Sequence, residues 1–181
     1  MKELSLHILD IVQNSIRAEA TDICVKICEN TLKNLLEIQI IDNGTGMDQE
    51  TLNRAIDPFW TSRTTRKVGL GIPLFKAAAE ACEGFLDIKS KLGEGTEVTV
   101  QFQREHIDRA PLGNMAETMS LLIMTNEHIN FLYSHIFDEK EYALDTKALR
   151  EILGDVPLSN LDVVEWIKSN IKEGLTEIGC T

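Results

Sequence analysis

The sequence predicts an α+β fold, in which a layer of helices packs on one sheet and a smaller C-terminal α+β extension follows. Apolar residues recur at helical spacing in several segments and alternate with polar residues in others, as expected for helices and strands. The composition is globular, with 43% apolar and 26% charged residues and 4 prolines in 181 residues. Composition and motif content change near residue 103, which divides the chain into 1–105 and 106–181.

The first part alternates between helical and extended patterns. Leu4 begins an apolar helical run, and Ile23, Val25 and Ile27 face one side of an alternating strand. Asp48 is placed to cap a short helix, and glycines open the next one. The predicted elements are a helix over 4–20, strands over 21–29 and 35–41, helices over 48–55 and 69–82, and an antiparallel pair over 85–90 and 96–102.

The second part begins with a charged connector over 104–113, which contains Pro111. We predict a helix over 114–124, a hairpin of strands over 129–136 and 141–144, and helices over 146–153 and 161–173. Ser159 or Asn160 is placed to cap the last helix. This part is expected to pack on the first as a small α+β extension, whose role the sequence leaves open.

Charge and hydropathy exclude several classes of function. The formal net charge of −11 disfavours nonspecific binding to nucleic acid or to acidic membrane surfaces. The chain has no apolar run of about 20 residues and no signal sequence at its start, so a soluble, cytoplasmic protein is expected. Cys24 and Cys28 lie about 13 Å apart on a strand, too far for a disulfide or a shared zinc ion. All four cysteines are expected to be buried, reduced thiols.

The first helix carries a polar stripe on an otherwise apolar surface. His7, Asp10, Asn14 and Arg17 recur every three or four residues and therefore share one side of the helix. Unpaired polar groups are costly to bury, so these side chains need partners. A ligand with phosphates and a metal ion would supply partners for the carboxylate, the amide and the guanidinium.

Three glycine clusters follow, at 44–46, 69–71 and 93–95. Asp42 ends a strand directly before the first cluster, where its carboxylate could accept a hydrogen bond from the amino group of adenine. The second cluster begins a helix, whose free amides and positive dipole end favour a phosphate. Basic residues precede this second cluster in an otherwise acidic chain.

Four ordered segments resemble the conserved boxes of the histidine-kinase-like ATPase superfamily, which includes gyrase, the MutL repair ATPases and the large heat-shock chaperone. They are Asp10…Asn14…Arg17, Asp42-Asn43-Gly44-Thr45-Gly46-Met47, Gly69-Leu70-Gly71-Ile72 and Gly93-Glu94-Gly95-Thr96. Asp57-Pro58-Phe59-Trp60 resembles the phenylalanine box of the histidine-kinase branch. The resemblance spans about residues 3–103 and implies the two-layer α/β sandwich of that superfamily.

The resemblance assigns roles by position. Asn14 would coordinate Mg²⁺, Arg17 would contact a phosphate, and Asp10 would be the acid/base residue. Asp42 would bind adenine, supported by Thr96. Residues 48–68 would form a mobile lid with phosphate-binding cations. The complete ATP-binding set is Asn14, Arg17, Asp42, Gly44, Gly46, Met47, Arg63, Arg66, Lys67, Gly69, Leu70, Gly71 and Thr96.

The chain departs from the family pattern at two places. Asp10 stands where many members have Glu, and the shorter side chain could misplace the carboxylate. Lys67 and Val68 stand where kinases often have glycine and a small residue. His7 is read as structural, because family kinases usually carry the phosphorylated histidine on a separate helix. His106, His128 and His135 lie outside the resemblance and are read as solvated or packed.

Three functions are compatible with these residues, and whether the chain is an enzyme stays open. The first is a signal-transduction kinase domain that binds Mg-ATP and transfers the γ-phosphate to a separate, unidentified protein. The second is a nucleotide-gated regulatory module with little turnover, favoured by Asp10. The third is an ATPase of the MutL or gyrase type that opens and closes a dimer. A homodimer is compatible with the sequence but is not required by it.

Overall fold

The computed structural model describes residues 3–57 and 70–180. Its helices and strands follow the predicted order in both parts of the chain. They are α1 (Leu4–Arg17), β1 (Asp22–Asn30), β2 (Leu35–Asp42), α2 (Gln49–Ile56), α3 (Gly71–Glu80), β3 (Phe85–Lys91), β4 (Gly95–Gln103), α4 (Met115–Thr125), β5 (Asn130–Phe137), β6 (Lys140–Asp145), α5 (Thr146–Leu153) and α6 (Leu161–Ile178).

The strands form one six-stranded sheet in the order β3-β4-β2-β1-β5-β6. All neighbouring strands are antiparallel except β1 and β5, which run parallel. The expected C-terminal hairpin is therefore β5 and β6, and it extends the sheet built by the first part. Whether 1–105 and 106–181 are separate domains stays a prediction, but their strands share a sheet through the pairing of β5 with β1 from Asp22 to Glu29.

The core lies on one face of this sheet. Alternate residues of the central strands, such as Val25, Ile38 and Val100, are fully buried there. Helices α1, α3, α4 and α6 pack on one another in the layer that covers this face. On the opposite face Lys26, Gln39 and Thr99 are only half-buried. The predicted two-layer α+β architecture is confirmed.

Two helices end three or more residues away from the predicted position. Helix α1 ends at Arg17 rather than near residue 20, and Glu19 takes a positive φ of 59°. Helix α6 continues to Ile178, five residues beyond the predicted end, and Gly179 closes it in the left-handed conformation. Gly174 lies just beyond the predicted end and is buried inside α6. Tyr142 packs against it so closely that a Cβ there would lie 2.0 Å from the tyrosine ring.

The cysteines are all free thiols, as expected. Only Cys82 is buried, and the other three are half-buried, so the expectation of burial was wrong for them. Cys24 lies on the strand face opposite the helices, and Cys180 follows the end of α6. Among the described residues, no helix combines the length and the apolarity needed to cross a bilayer.

Candidate functional site

The polar stripe of α1 is graded from buried to exposed. His7 is buried, Asp10 and Asn14 are half-buried, and Arg17 is exposed at the C-terminal end of the helix. Arg17 Nη1 donates a hydrogen bond to Asn14 Oδ1 over 3.2 Å. Helix α1 thus anchors its apolar side in the core and presents a carboxylate, an amide oxygen and a guanidinium in sequence along its other side.

Helix α3 begins directly against this stripe. Gly71, its first residue, is buried, and a Cβ built there would lie 3.0 Å from the Cβ of Asp10. The absence of a side chain at position 71 lets the two helices approach this closely. Leu70 precedes the helix and cannot supply a capping oxygen to its first amide groups. The positive end of α3 therefore lies beside the Asp10 carboxylate.

Asp42 is held in a fixed orientation at the end of β2. The residue is only 9% exposed, and its two carboxylate oxygens accept hydrogen bonds from different sources. Ser15 Oγ donates to Oδ2 over 2.6 Å, and the Gly44 amide donates to Oδ1 over 2.9 Å. Each carboxylate oxygen has a further acceptor direction, so the group can still receive a hydrogen bond from a ligand amine.

Thr96 is the strand partner of Asp42 on β4. Its hydroxyl forms a hydrogen bond of 2.9 Å with Ser90 Oγ, which in turn receives the Met47 amide over 2.8 Å. A cleft of about 300 Å³ is lined by Asp42, Ser90 and Thr96 among others. The sequence named Asp42, Met47 and Thr96, but it gave no sign of Ser90, which connects the last two.

The loop after Asp42 packs against the turn between β3 and β4. The Gly93 amide donates to the Thr45 carbonyl over 2.7 Å, and Gly46 has a φ of 65°. A Cβ at Gly46 would lie 2.0 Å from the Lys91 carbonyl oxygen, so only glycine fits. A Cβ at Gly44 would lie 2.6 Å from the Ala18 carbonyl oxygen, directly after the end of α1. The loop after Asp42 therefore connects the end of β2 with the end of α1 and with the turn between β3 and β4.

Asn43 connects this loop to the start of β1. Its Oδ1 accepts the backbone amides of Thr21 and Asp22, each over 2.9 Å, and its Nδ2 donates to Asp22 Oδ2 over 3.0 Å. Asn130, the first residue of β5, donates to the other oxygen of Asp22 over 3.0 Å. The hydrogen bonds from Asn130 and Thr21 lower the pKa of Asp22. The network links the Asp42 loop to the C-terminal part of the chain.

His7 has a structural environment. Its ring is 3% exposed and stacks on Phe75 of α3, with 4.8 Å between centroids and 6° between planes. Burial lowers the pKa of His7 to about 4, so the ring is neutral at physiological pH. Within the described residues its Nδ1 has no hydrogen-bond partner. This environment agrees with the reading of His7 as a packed side chain rather than a phosphoacceptor.

The structure brings Asp10 and Gly71 together where α1 meets α3, with Leu70 directly before Gly71 and with Asn14 and Arg17 further along the polar stripe of α1. It brings together, at the end of β2 and the start of β4, the residues Asp42, Gly44, Gly46, Met47 and Thr96. Arg63, Arg66, Lys67 and Gly69 lie outside the described residues, as do Pro58, Phe59 and Trp60 of the phenylalanine box. The ligand-binding roles of all these residues stay predictions.

Comparison with known proteins gives a family and several relatives. A family model described as "Histidine kinase-, DNA gyrase B-, and HSP90-like ATPase" matches residues 2–106, more than half of the chain. A putative sensor protein of Shewanella frigidimarina is 31% identical over 103 residues, covering 56% of this chain and 16% of the relative. The sensor protein kinase FleS of Pseudomonas aeruginosa is 36% identical over 110 residues, covering 61% of this chain and 27% of FleS.

The chain thus spans less than a third of the length of these two relatives. Among solved structures, the crystal structure of the N-terminal domain of a DNA repair protein superposes with a TM-score of 0.55. The superposition covers 80% of this chain and 53% of the repair-protein chain, at 16% sequence identity. At this identity the likeness concerns the fold, and it covers a larger share of this chain than the family model does.

Proposed function

The chain belongs to the histidine kinase-, DNA gyrase B- and HSP90-like ATPase family, and on that basis we propose that it binds Mg-ATP and transfers the γ-phosphate to a separate protein. One observation carries the proposal above all. The N-terminus of α3 lies against Asp10, so a helix end of the kind that favours phosphate and a carboxylate adjoin at a single point. Relatives that are named sensor kinases favour phosphotransfer over simple hydrolysis.

Adenine would bind at Asp42. The carboxylate is oriented by Ser15 and by the Gly44 amide, and its free acceptor directions suit the exocyclic amino group of the base. Thr96 would complete this end of the site through Ser90. Because a site built to accept a hydrogen bond rejects ligands that cannot donate one, the arrangement favours the amino group of adenine over a base that presents a carbonyl oxygen at the same position.

The phosphates would lie between α1 and α3. Asn14 offers an amide oxygen, a ligand that suits Mg²⁺ when phosphates and waters complete its octahedron. The bound ion would neutralise the charge that develops on the phosphates during transfer. Arg17 now donates to that same Asn14 oxygen and has the reach to turn to a phosphate oxygen instead. Arg63, Arg66 and Lys67 would add positive charge from the lid.

Asp10 would accept the proton of the attacking side chain. The contact with Gly71 fixes its position relative to the helix end that binds the phosphates. Phosphoryl transfer depends mainly on positioning and charge neutralisation. An aspartate held in this way can therefore serve where other family members use glutamate, whose side chain is longer.

Calorimetric titration with Mg-ATP and Mg-ADP tests the binding step. We expect Asn14→Ala and Asp42→Asn to weaken binding strongly. Gln13→Ala is the matched control, because this amide lies on the same helix beside Asn14 but off the polar stripe. Equal affinities in all four proteins would contradict the assignment of the site.

Incubation with γ-labelled ATP and protein extract of the native host tests the transfer step. We expect label on a specific protein with the wild type and none with Asp10→Asn. Labelling of no protein by a chain that binds ATP would count against a kinase and leave ATP binding intact.

A second candidate is a nucleotide-gated regulatory module with little turnover. Its support is the network Asn43–Asp22–Asn130, which joins the loop next to Asp42 to β5. A nucleotide that moves this loop would act directly on the C-terminal part. Measurable turnover that disappears in Asp10→Asn would argue against this alternative.

A further inference from the structure

Three side chains with metal-binding atoms meet far from the candidate nucleotide site. Glu29 lies on β1, His135 on β5, and Cys180 follows the end of α6. Within the part of the chain that the structure describes, they are the one group of three His, Cys, Asp or Glu side chains able to share an ion. Glu29 lies six residues along β1 from Ile23, the strand partner of Asp42, a distance of about 20 Å.

The ligand atoms already have the spacing of a tetrahedral site. Glu29 Oε1 and His135 Nε2 are 3.1 Å apart, Cys180 Sγ and His135 Nε2 are 3.4 Å apart, and Cys180 Sγ and Glu29 Oε1 are 3.6 Å apart. Around a tetrahedral Zn²⁺ with ordinary bond lengths, the N–O separation is about 3.3 Å and each separation from sulfur is about 3.6 Å. An ion can therefore enter with movements of a few tenths of an ångström.

Neighbouring side chains form hydrogen bonds with two of the ligand side chains, at the atoms that face away from the cluster. The Tyr133 hydroxyl lies 3.1 Å from His135 Nδ1, so the other ring nitrogen, Nε2, faces the cluster. Arg104 Nε donates to Glu29 Oε2 over 3.0 Å and leaves Oε1 directed at His135 and Cys180. Such outer partners orient the ligands in known zinc sites. The imidazole of His135 is completely buried, so the orientation is fixed by packing as well.

A cavity beside the cluster leaves room for a fourth ligand. It has a volume of about 400 Å³, and Glu29, His135 and Cys180 line it together with Arg104, Arg109 and Phe137. Three protein ligands with one position left for water are typical of zinc sites that are not purely structural. Cysteine and histidine together select zinc and related transition metals over Mg²⁺ and Ca²⁺.

Without an ion, the same distances correspond to hydrogen bonds of the His135 imidazole and the Cys180 thiol with the Glu29 carboxylate, and a bond from sulfur to metal distinguishes the two cases. Burial and the nearby Glu29 raise the pKa of Cys180 to about 12, which makes the free thiol a poor nucleophile. A metal ion would convert the same sulfur into a thiolate, because a coordinating thiol loses its proton.

We propose that Glu29, His135 and Cys180 bind a divalent transition-metal ion, with Zn²⁺ as the ion that best suits this ligand set. Binding breaks the Sγ–H bond of Cys180 and forms a bond from Sγ to the metal. The proton passes to solvent, and no electron is transferred. Glu29 Oε1 and the unprotonated His135 Nε2 each donate a lone pair. The ion would fasten the end of α6 to β1 and β5.

Titration of the full chain with Co²⁺, without nucleotide, tests the proposal. A cobalt–thiolate bond gives a charge-transfer absorption in the near ultraviolet, and we expect this band to saturate at one equivalent and to disappear when Zn²⁺ is added. Cys180→Ser should abolish the band. Cys24→Ser, which removes a half-buried thiol elsewhere, should keep it.

Two further measurements test the role of Tyr133 and the release of the Cys180 proton. Tyr133→Phe should weaken Co²⁺ binding about 10- to 100-fold without abolishing the band, because it removes an outer partner and keeps all three ligands. Calorimetry of Zn²⁺ binding in buffers of different ionisation enthalpy should show release of at least one proton in the wild type. Absence of the band in the wild type, or its persistence in Cys180→Ser with unchanged circular dichroism, would overturn the proposal.

Discussion

Replacing Ser15 with Ala removes the hydroxyl that orients the Asp42 carboxylate. Ser15 is 3% exposed, and its Oγ donates to Asp42 Oδ2 over 2.6 Å, the shorter of the two hydrogen bonds to that carboxylate. The change leaves the Gly44 amide in place, so one oxygen stays anchored while the other loses its partner. Both the free energy of unfolding and the affinity for ATP should respond.

The expected magnitude follows from the charge and the burial of this contact. A hydrogen bond to a charged group contributes about 1.5–3 kcal/mol. Alanine gains about 0.5 kcal/mol over serine in helix propensity, which offsets part of this loss. We therefore expect the variant to be less stable by about 1–2.5 kcal/mol. If half of the hydrogen-bond energy serves to orient Asp42 for adenine, ATP affinity falls about three- to tenfold.

Urea unfolding and calorimetric titration with Mg-ATP measure the two effects. Ser120→Ala is the matched control, because Ser120 is also buried in a helix but donates only to the Glu117 carbonyl of its own helix, over 3.0 Å. It shares the propensity gain and lacks the charged acceptor. The reasoning is refuted if the two variants have the same stability and the same ATP affinity.

Three further predictions concern other parts of the molecule. Burial lowers the pKa of His7 to about 4 from 6.5, so the unfolded chain takes up a proton before the folded one as pH falls. The free energy of unfolding should drop by up to about 3 kcal/mol between pH 6.5 and 4, and urea unfolding of His7→Phe should lack this share of the loss. In Gly71→Ala, a Cβ at 3.0 Å displaces Asp10 by a few tenths of an ångström, and phosphotransfer or hydrolysis rates should fall about tenfold; an unchanged rate would exclude a positioning role for the contact. Asn160 caps α6 through the amides of Asp162 and Val163, so Asn160→Ala should cost about 1 kcal/mol in urea unfolding and Asn160→Gly much less, whereas equal losses would contradict a capping role.

The helices and strands could be predicted from the sequence because their signals are local. Alternating apolar residues mark β1, and an Asp or Asn cap precedes α2, α4 and α6. The prediction of an early end for α6 was wrong, since the helix continues through Gly174, which packs against Tyr142 on a strand more than thirty residues away. The joining of β5 to β1 was equally out of reach, since strand pairing between distant segments leaves no pattern in either one.

The residues of the candidate site also divide into those that the sequence could predict and those that it could not. The polar stripe of α1 and the loop after Asp42 could be predicted because each is one contiguous motif. Ser15 could not, because a serine inside an apolar helix gives no sign of the strand residue that it meets. His135 was expected to be solvated or packed. It is packed, but its neighbours Glu29 and Cys180 also carry atoms that can bind a metal ion. That cluster depends on the register between β1 and β5 and on the true end of α6.

Strand β1 explains why the C-terminal part belongs to the same body as the candidate nucleotide site. One edge of β1 pairs with β2, which ends at Asp42, and the other pairs with β5 over eight residues from Asp22 to Glu29. Without β5, that second edge would expose its backbone groups, and natural sheets protect such edges. The Asn130–Asp22–Asn43 network lies at one end of this shared strand, and Glu29 with its metal-binding neighbours lies at the other. A change of ligand at either end would therefore act on the same strand, which gives the C-terminal part a direct physical connection to the loop beside Asp42.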